Sequence, residues 1–424
     1  MSSLPKRRRP ESRRPLGVDL FAGAGGLSLG FEQAGFNVVA SVEVDPVHCA
    51  VHEFNFPNCT SICADVSKIT GREIRKKAKL GDARIDVVFG GPPCQGFSLI
   101  GKRALDDPRN GLLLEFMRLV VELDADYFVF ENVKGLTIGN HRRLLQELID
   151  AFARKGYEVA LPYRVLNAAD FGVPQNRARV FLMGAKKGLT LPIYPDGKVR
   201  RTTVWEAIGD LPNVDQFAEL IESDTVEKVR FGRASAYVRV LRGMSDDADD
   251  FSHPRVWSEK SLTSSMRTVH TPLSRSRFSA TPQGEVETVS RFHRLHPEGL
   301  CNTLRAGTGH DRGSFTSPRP IHPHEPRVLT VREAARLHSY PDWFRPHQTK
   351  WHGFRQIGNS VPPLLARAVA IQVISAMRCK PAKPAERLKL GSERLLSFNL
   401  STAGEYYGLS TNVAKDRTEL NGTL

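Results

Sequence analysis

The chain has 424 residues, and Lys+Arg 60 against Asp+Glu 46 leaves a formal charge of +14. Hydrophobic residues at 40% and charged residues at 25% exclude wholesale disorder, and such a basic balance points to a polyanionic partner, nucleic acid by default. Six cysteines with no secretory leader behind MSSLPKRRRP exclude a disulfide framework and set the expectation of a cytoplasmic protein that spans no membrane.

Residues 1–15 carry Lys6, Arg7, Arg8, Arg9, Arg13 and Arg14 against Glu11 alone, with three prolines, and read as a disordered basic arm. From Leu16 short β-rich runs alternate with amphipathic helices. The strand-like runs are 16–21, 36–44, 85–91, 126–132, 157–166 and 179–185, and the helical candidates are 26–34, 45–54, 109–123 and 140–155. Asp45-Pro46 supplies an N-cap followed by proline at the first helical position. This alternation predicts βαβ units and an α/β, Rossmann-like, mostly parallel sheet over 16–187. The rhythm fails over 188–299, rich in Pro, Ser, Thr, Arg and Asp, which reads as an inserted, irregular second domain. Order resumes over 300–378, with helices expected in TVREAARLHSY and VPPLLARAVAIQVISAM, and 379–424 reads as a frayed tail.

Three clusters carry chemistry. DLFAGAGGLSLGF (19–31) joins a strand to a helix, with Gly23, Gly25 and Gly26 free to turn tightly against a ligand. Glu43 ends the next strand, where a carboxylate can hold ribose hydroxyls, and Ser28 replaces the third glycine of a dinucleotide fingerprint, so a nucleoside fits at least as well as NAD. GGPPCQGFS (90–98) follows a buried strand and holds Cys94 on a stiff Pro-Pro turn, a nucleophile candidate. FENV places Glu131 at the end of the apolar run YFVF, where a carboxylate is costly unless it is used, and QNRAR adds Arg177 and Arg179. His48, Cys49, His52, Cys59 and Cys63 also lie close together, but without a CxxC pair they read as helix packing and no metal is expected.

Taken in order, DLFAGAGG, GGPPCQGFS, ENV, QNRARV, TVREAARLHSYPD and IGNSVPP resemble the cytosine-C5 DNA methyltransferases of restriction–modification systems, over about residues 16–376. The resemblance implies an S-adenosylmethionine-dependent methyltransferase sheet with a target-recognition domain at 188–299. It implies Cys94 as nucleophile, Glu131 and Arg179 facing a flipped cytosine, and Arg177 supporting that pocket. It places the cofactor against Phe21, Gly23, Gly25, Glu43, Asp65, Pro93, Asn359 and Ser360, with Val44 standing where the family often has a bulky aromatic. Double-stranded DNA is the implied partner, with Gln95 and Ser98 beside it, and a monomer working alongside a cognate restriction endonuclease is the implied setting. Within the insert, 188–250 has 8 basic and 12 acidic residues and 251–299 has 7 and 4, which directs attention to Arg267, Arg275 and Arg277 as DNA contacts. Two alternatives stay open: the same chemistry on RNA, and a non-catalytic DNA-binding protein of the same fold.

Overall fold

A computed structural model describes residues 13–93, 111–139, 141–197, 199–307 and 319–409. Its first part runs β1 (Leu16–Leu20), α1 (Gly26–Ala34), β2 (Asn37–Glu43), α2 (Pro46–Asn55), β3 (Thr60–Cys63), α3 (Gly71–Lys77), β4 (Val87–Gly90), α4 (Gly111–Glu122) and β5 (Tyr127–Val133). It continues through α5 (His141–Arg154), β6 (Tyr157–Val159), β7 (Arg164–Asn167) and β8 (Ala178–Lys186). The insert contributes α6 (Val204–Ile208), α7 (Ala236–Leu241), the two-residue β9 (Arg255–Val256) and α8 (Pro272–Ala280). The chain then forms α9 (Val331–Leu337), α10 (Lys350–Asn359), α11 (Pro363–Met377), β10 (Leu388–Lys389) and α12 (Leu400–Tyr406).

The eight-stranded sheet has the order β3-β2-β1-β4-β5-β8-β6, with β7 also paired to β8. Strands β1 to β5 are parallel and β8 runs antiparallel to β5. Order reverses between β1 and β4, so the crevice outside their carboxyl ends is where an α/β sheet accepts a ligand. Strands such as VVFG and YFVF are apolar at every position because both faces are covered. On one face Phe31 of α1 stacks on Phe89 with ring centroids 3.6 Å apart, and on the other Phe152 of α5 stacks on Phe128 at 3.9 Å. Helix α11 closes over α1 at Gly30, where a Cβ would come within 2.3 Å of the Ala366 side chain. Any larger residue would force these helices apart.

Several elements differ from expectation. Strand β3 is only TSIC and helix α3 buries only Gly71 and Ile74, so neither carries a readable apolar period. The expected strand over 157–166 divides into β6 and β7, which pair with the two ends of β8. Residues 350–377 pass as a membrane span by length and hydropathy. They are two helices broken at Ser360–Pro362, and Leu365, Ala366, Val369, Ala370, Val373 and Ile374 are buried in the main core.

The segment expected to be a frayed tail is folded as far as residue 409. Gly391 N–H donates to Phe54 O, His347 Nε2 bonds Phe398 O, and the hydroxyls of Tyr406 and Tyr407 both donate to Glu53 at 2.7 Å. Leu395, Leu396, Phe398 and Ala403 join the main core. Of the expected basic arm, Arg13 pairs with Asp86, and Arg14 donates to Asn37 and to the carbonyls of Phe36, Phe251 and Ala382; residues 1–12 lie outside the described ones. Within the insert, Val204, Ala207 and Ile208 belong to the main core, whereas Val214, Leu220, Val229 and Leu262 form a small core of their own. A third cluster, Phe278, Ile321 and Val328, straddles the boundary expected at 299/300.

Candidate active site

The carboxyl ends of β1, β2, β3 and β4 bring Phe21, Glu43, Asp65 and the 91–93 turn to one edge of the sheet. Phe21 sits at φ 61 and Gly23 at φ 55, a left-handed bend that costs a non-glycine residue about 1–2 kcal/mol. The bend is held because Gly23 N–H donates to Glu43 Oε2 at 2.9 Å, while Glu43 Oε1 accepts from Val44 and Asp45 N–H. Asp65 Oδ1 caps its own turn by accepting from Ser67 N and Oγ. Gly25, at φ 101, begins α1 without a side-chain cap. A Cβ at Gly26 would fall 2.5 Å from Val361 O and 2.9 Å from Ser360 Cβ, so the uncapped helix start abuts the IGNSV segment that carries Asn359 and Ser360.

Behind this edge lies a network that sequence reasoning missed. Asp19 accepts from Ser28 Oγ at 2.6 Å, and its other oxygen, Oδ1, is buried without a partner among the described residues. Burial, reinforced by the charge of Glu43 and only partly opposed by Ser28, pushes the Asp19 carboxyl up to about 8. His52 lies within hydrogen-bond distance of Ser28, Ser41 and Ser61, and burial lowers its pKa to about 3. His52 is thereby committed to serine hydroxyls, apart from the nearby cysteines.

Strand β4 ends at Gly90, and the next residue packs directly on Glu131. A Cβ at Gly91 would lie 2.6 Å from Glu131 Oε2, so only glycine leaves the carboxylate its place. Asn132 Nδ2 donates to Pro92 O at 2.9 Å and fixes the Pro-Pro turn against β5. Pro93 is exposed at its end; Cys94, Gln95 and Ser98 lie outside the described residues. Glu131 is buried and forms an ion pair with Arg179, Nε to Oε1 2.9 Å, while Oε1 lacks a well-directed hydrogen bond among the described residues. Burial raises the Glu131 pKa, against the pull of Arg179 and Arg177. A buried carboxyl biased towards its protonated form can both donate and accept a proton.

Arg177 is not beside the carboxylate as an equal of Arg179. It is 1% exposed and spends its guanidinium on three backbone carbonyls: Leu304 at 2.9 Å, Gly358 at 2.7 Å and Ser360 at 2.8 Å. Burial and the Arg179 charge lower its pKa to about 9. Its neighbour Gln175, also missed, accepts from Leu304 N–H and donates to Leu337 O and His338 Nδ1. Because His338 Nδ1 accepts, its Nε2 is the donor to Ser360 O at 3.1 Å. Gln175, Arg177 and His338 thus lock the chain near Leu304 and Ser360 to the start of β8.

The insert arginines are engaged internally. Arg267 and Arg275 share the Asp215 carboxylate at 3.4 and 2.9 Å, and Arg277 lies 3.7 Å from Glu287. Residues Pro272–Ala280 form a helix, α8, with Thr271 as N-cap and Pro272 at its first position, where an irregular loop was expected.

Comparison with known proteins agrees with this architecture. The chain is 60% identical over 405 residues to the type II methyltransferase M.XorII of Xanthomonas oryzae pv. oryzae, covering 96% of this chain and 95% of that one. It is 34% identical to the type II methyltransferase M1.HphI of Haemophilus parahaemolyticus, covering 84% and 86%. A crystal structure assigned as a prophage-encoded DNA modification methyltransferase (E. coli) superposes with a TM-score of 0.69 at 33% identity, covering 85% of this chain and 99% of that chain. The family of C-5 cytosine-specific DNA methylases matches residues 17–375, nearly the whole of the sheet, insert and closing helices. The chain therefore belongs to the C-5 cytosine-specific DNA methylases and is a DNA cytosine-5 methyltransferase.

Proposed function

We propose that this enzyme methylates one cytosine within a specific duplex DNA sequence, as the modifying partner of a type II restriction endonuclease. The observation that carries the chemistry is the buried Glu131–Arg179 pair, set directly against the turn that leads into Cys94. Cytosine C5 is too weak a nucleophile to take a methyl group unaided. Addition of the Cys94 thiolate to C6 makes C5 nucleophilic, and Glu131, biased towards protonation, delivers a proton to ring N3 as negative charge develops there. Arg179 holds the Glu131 carboxyl and the O2 side of the ring. Once C5 has taken the methyl group, loss of the C5 proton to a base expels the Cys94 thiolate, and ring N3 returns its proton to Glu131. The ring is out of reach inside a stacked duplex, so the base is extruded. Arg177 acts at one remove, by fixing the carbonyls of Leu304, Gly358 and Ser360 that wall the pocket.

The cofactor edge fits S-adenosylmethionine, which when bound supplies the electrophilic methyl group. The uncapped start of α1 suits its carboxylate, and Glu43 and Asp65 suit ribose and adenine, with Phe21 against the ring. Pro93, Gly23, Gly25, Asn359 and Ser360 line the same edge. A duplex carrying 5-fluorocytosine at the target tests the covalent step, since fluorine cannot leave as a proton. Wild-type enzyme should be trapped with that DNA, and Cys94→Ala should neither trap nor methylate. Methylation by the Ala variant would overturn the mechanism.

A further inference from the structure

Arg267 and Arg275 pair with the single Asp215 carboxylate and Arg277 lies 3.7 Å from Glu287, whereas a further arginine of the insert has no carboxylate partner among the described residues. Residues 284–294 form a hairpin closed by Gly284 N–H to Arg294 O, Arg294 N–H to Glu285 O and Glu287 N–H to Phe292 O. Its tip is one turn, Glu287 to Arg291, closed by Arg291 N–H donating to Glu287 O at 2.9 Å. The Glu287 carboxylate folds inward, covered by its own turn, and accepts from Val289 and Ser290 N–H, so the tip is rigid before any ligand arrives. Arg294 ties the base of the hairpin to the carbonyls of Phe278, Ser279 and Thr281 at the end of α8.

Two features of this tip are costly unless used. Val289 stands 63% exposed and Val286 50% exposed, apolar surface held in water. Arg291 sits at φ 61, a left-handed conformation that glycine or asparagine adopts with less strain, and its exposed guanidinium has no partner among the described residues. The tip is also close enough to matter. Cys301 N–H donates to Pro174 O and Cys301 O accepts from Asn176 N–H, beside Arg177, and the ten residues from Arg291 to Cys301 span at most about 35 Å. That reach is about one helical turn of B-DNA.

We propose that the 288–291 tip is a base-reading element, with Arg291 hydrogen-bonding a guanine edge in the major groove within one turn of the target cytosine and Val289 packing on the neighbouring base edge. The inference rests on the proposed sequence-specific methylation. Arginine matches guanine O6 and N7 bidentately, and an apolar side chain suits a thymine methyl. A preformed tip spends no binding energy on ordering itself.

Full-length wild type, Arg291→Ala and Arg291→Gly are given a plasmid library of randomised duplexes, and methylated sites are mapped by bisulfite sequencing. Wild type should mark one sequence. Both variants should lose preference at a single G·C position, with methylation of the original site falling on the order of 10- to 100-fold relative to sites differing only there. Arg291→Gly should melt at or above wild type, because glycine relieves the left-handed strain, which separates reading from folding. An unchanged sequence preference overturns the proposal. So does an equal loss on all sequences with a flatter salt dependence, the signature of a phosphate contact. Wild type that methylates cytosine C5 with no sequence preference, or not at all, overturns the underlying function and the inference with it.

Discussion

Removing the Arg177 guanidinium should loosen the join between β8 and the cofactor edge, by an amount the structure sets. Arg177→Met keeps the unbranched stem of the side chain as far as Nε and deletes its donors. All three carbonyls lose the Arg177 donor, but Ser360 O retains His338 Nε2, so the cost is counted at two, Leu304 O and Gly358 O. At about 1–3 kcal/mol for each unsatisfied buried group, the cost is about 2–6 kcal/mol. Against this, the desolvation that lowers the Arg177 pKa to about 9 is recovered when the charge is gone. The expected net loss therefore falls in the lower half of that range, about 2–3 kcal/mol. Arg177→Lys should recover little, because one ammonium cannot span carbonyls on separate segments. Urea unfolding should show a lower midpoint at unchanged slope, and calorimetry should show weaker S-adenosylmethionine binding, since Ser360 is held through this join. An unchanged midpoint in Arg177→Met would refute the reasoning.

Glu131→Gln keeps the shape but cannot deliver a proton, and kcat should fall by roughly 100-fold or more with DNA affinity little changed; equal kcat would make Glu131 structural. Gly91→Ala should also lower kcat, because its Cβ would stand 2.6 Å from Glu131 Oε2, and normal turnover would show that the carboxylate is free to move. Asp19 carries its carboxyl at about 8 when folded against about 3.8 unfolded, so its stability contribution is fully present below pH 4 and is lost as pH rises towards 8. Asp19→Asn lacks that slope, and its stability relative to wild type should climb between pH 4 and pH 8, by about 6 kcal/mol at most, then level off. Parallel pH profiles of urea midpoints would refute the shift. Glu53→Ala should release the Tyr406 and Tyr407 hydroxyls, and limited proteolysis should then cut the C-terminal segment sooner than in wild type.

The strand and helix alternation of the first half was legible because its strands are short apolar runs, α4 and α5 carry an apolar stripe, and α1 and α2 are buried nearly all round between turn signals. Helices α1, α2, α4 and α5 lie within two residues of where the pattern puts them. Segments whose order comes from tertiary contact were illegible. The C-terminal stretch is polar by sequence, yet Phe398, Leu395 and Leu396 reach the core because β10 pairs with β9 and the following turn lies on α2. At the site, Glu131 stood out as a carboxylate ending an apolar strand, and the structure sets Arg179 beside it. The different duties of Arg177 and Arg179 could not be read from their alternation, because burial divides them: one side chain turns into carbonyls of remote segments, the other to Glu131. The pairing of Arg267 and Arg275 could not be read because Asp215, which contacts both, lies more than 50 residues away in the chain.

The seating of α11 on α1 sets a timetable for the nascent chain. Gly30 admits the Ala366 side chain and the Arg367 backbone, so the partner of the first helix emerges from the ribosome only after more than 300 further residues. At about 5–20 residues per second that interval is on the order of 20–70 s. Until then the α1 face around Gly30 lacks the cover that α11 gives it. The sheet can begin to assemble from β1 to β5 as they appear, but its first layer is finished last. Synthesis arrested before α11 would leave an apolar helix face open to aggregation.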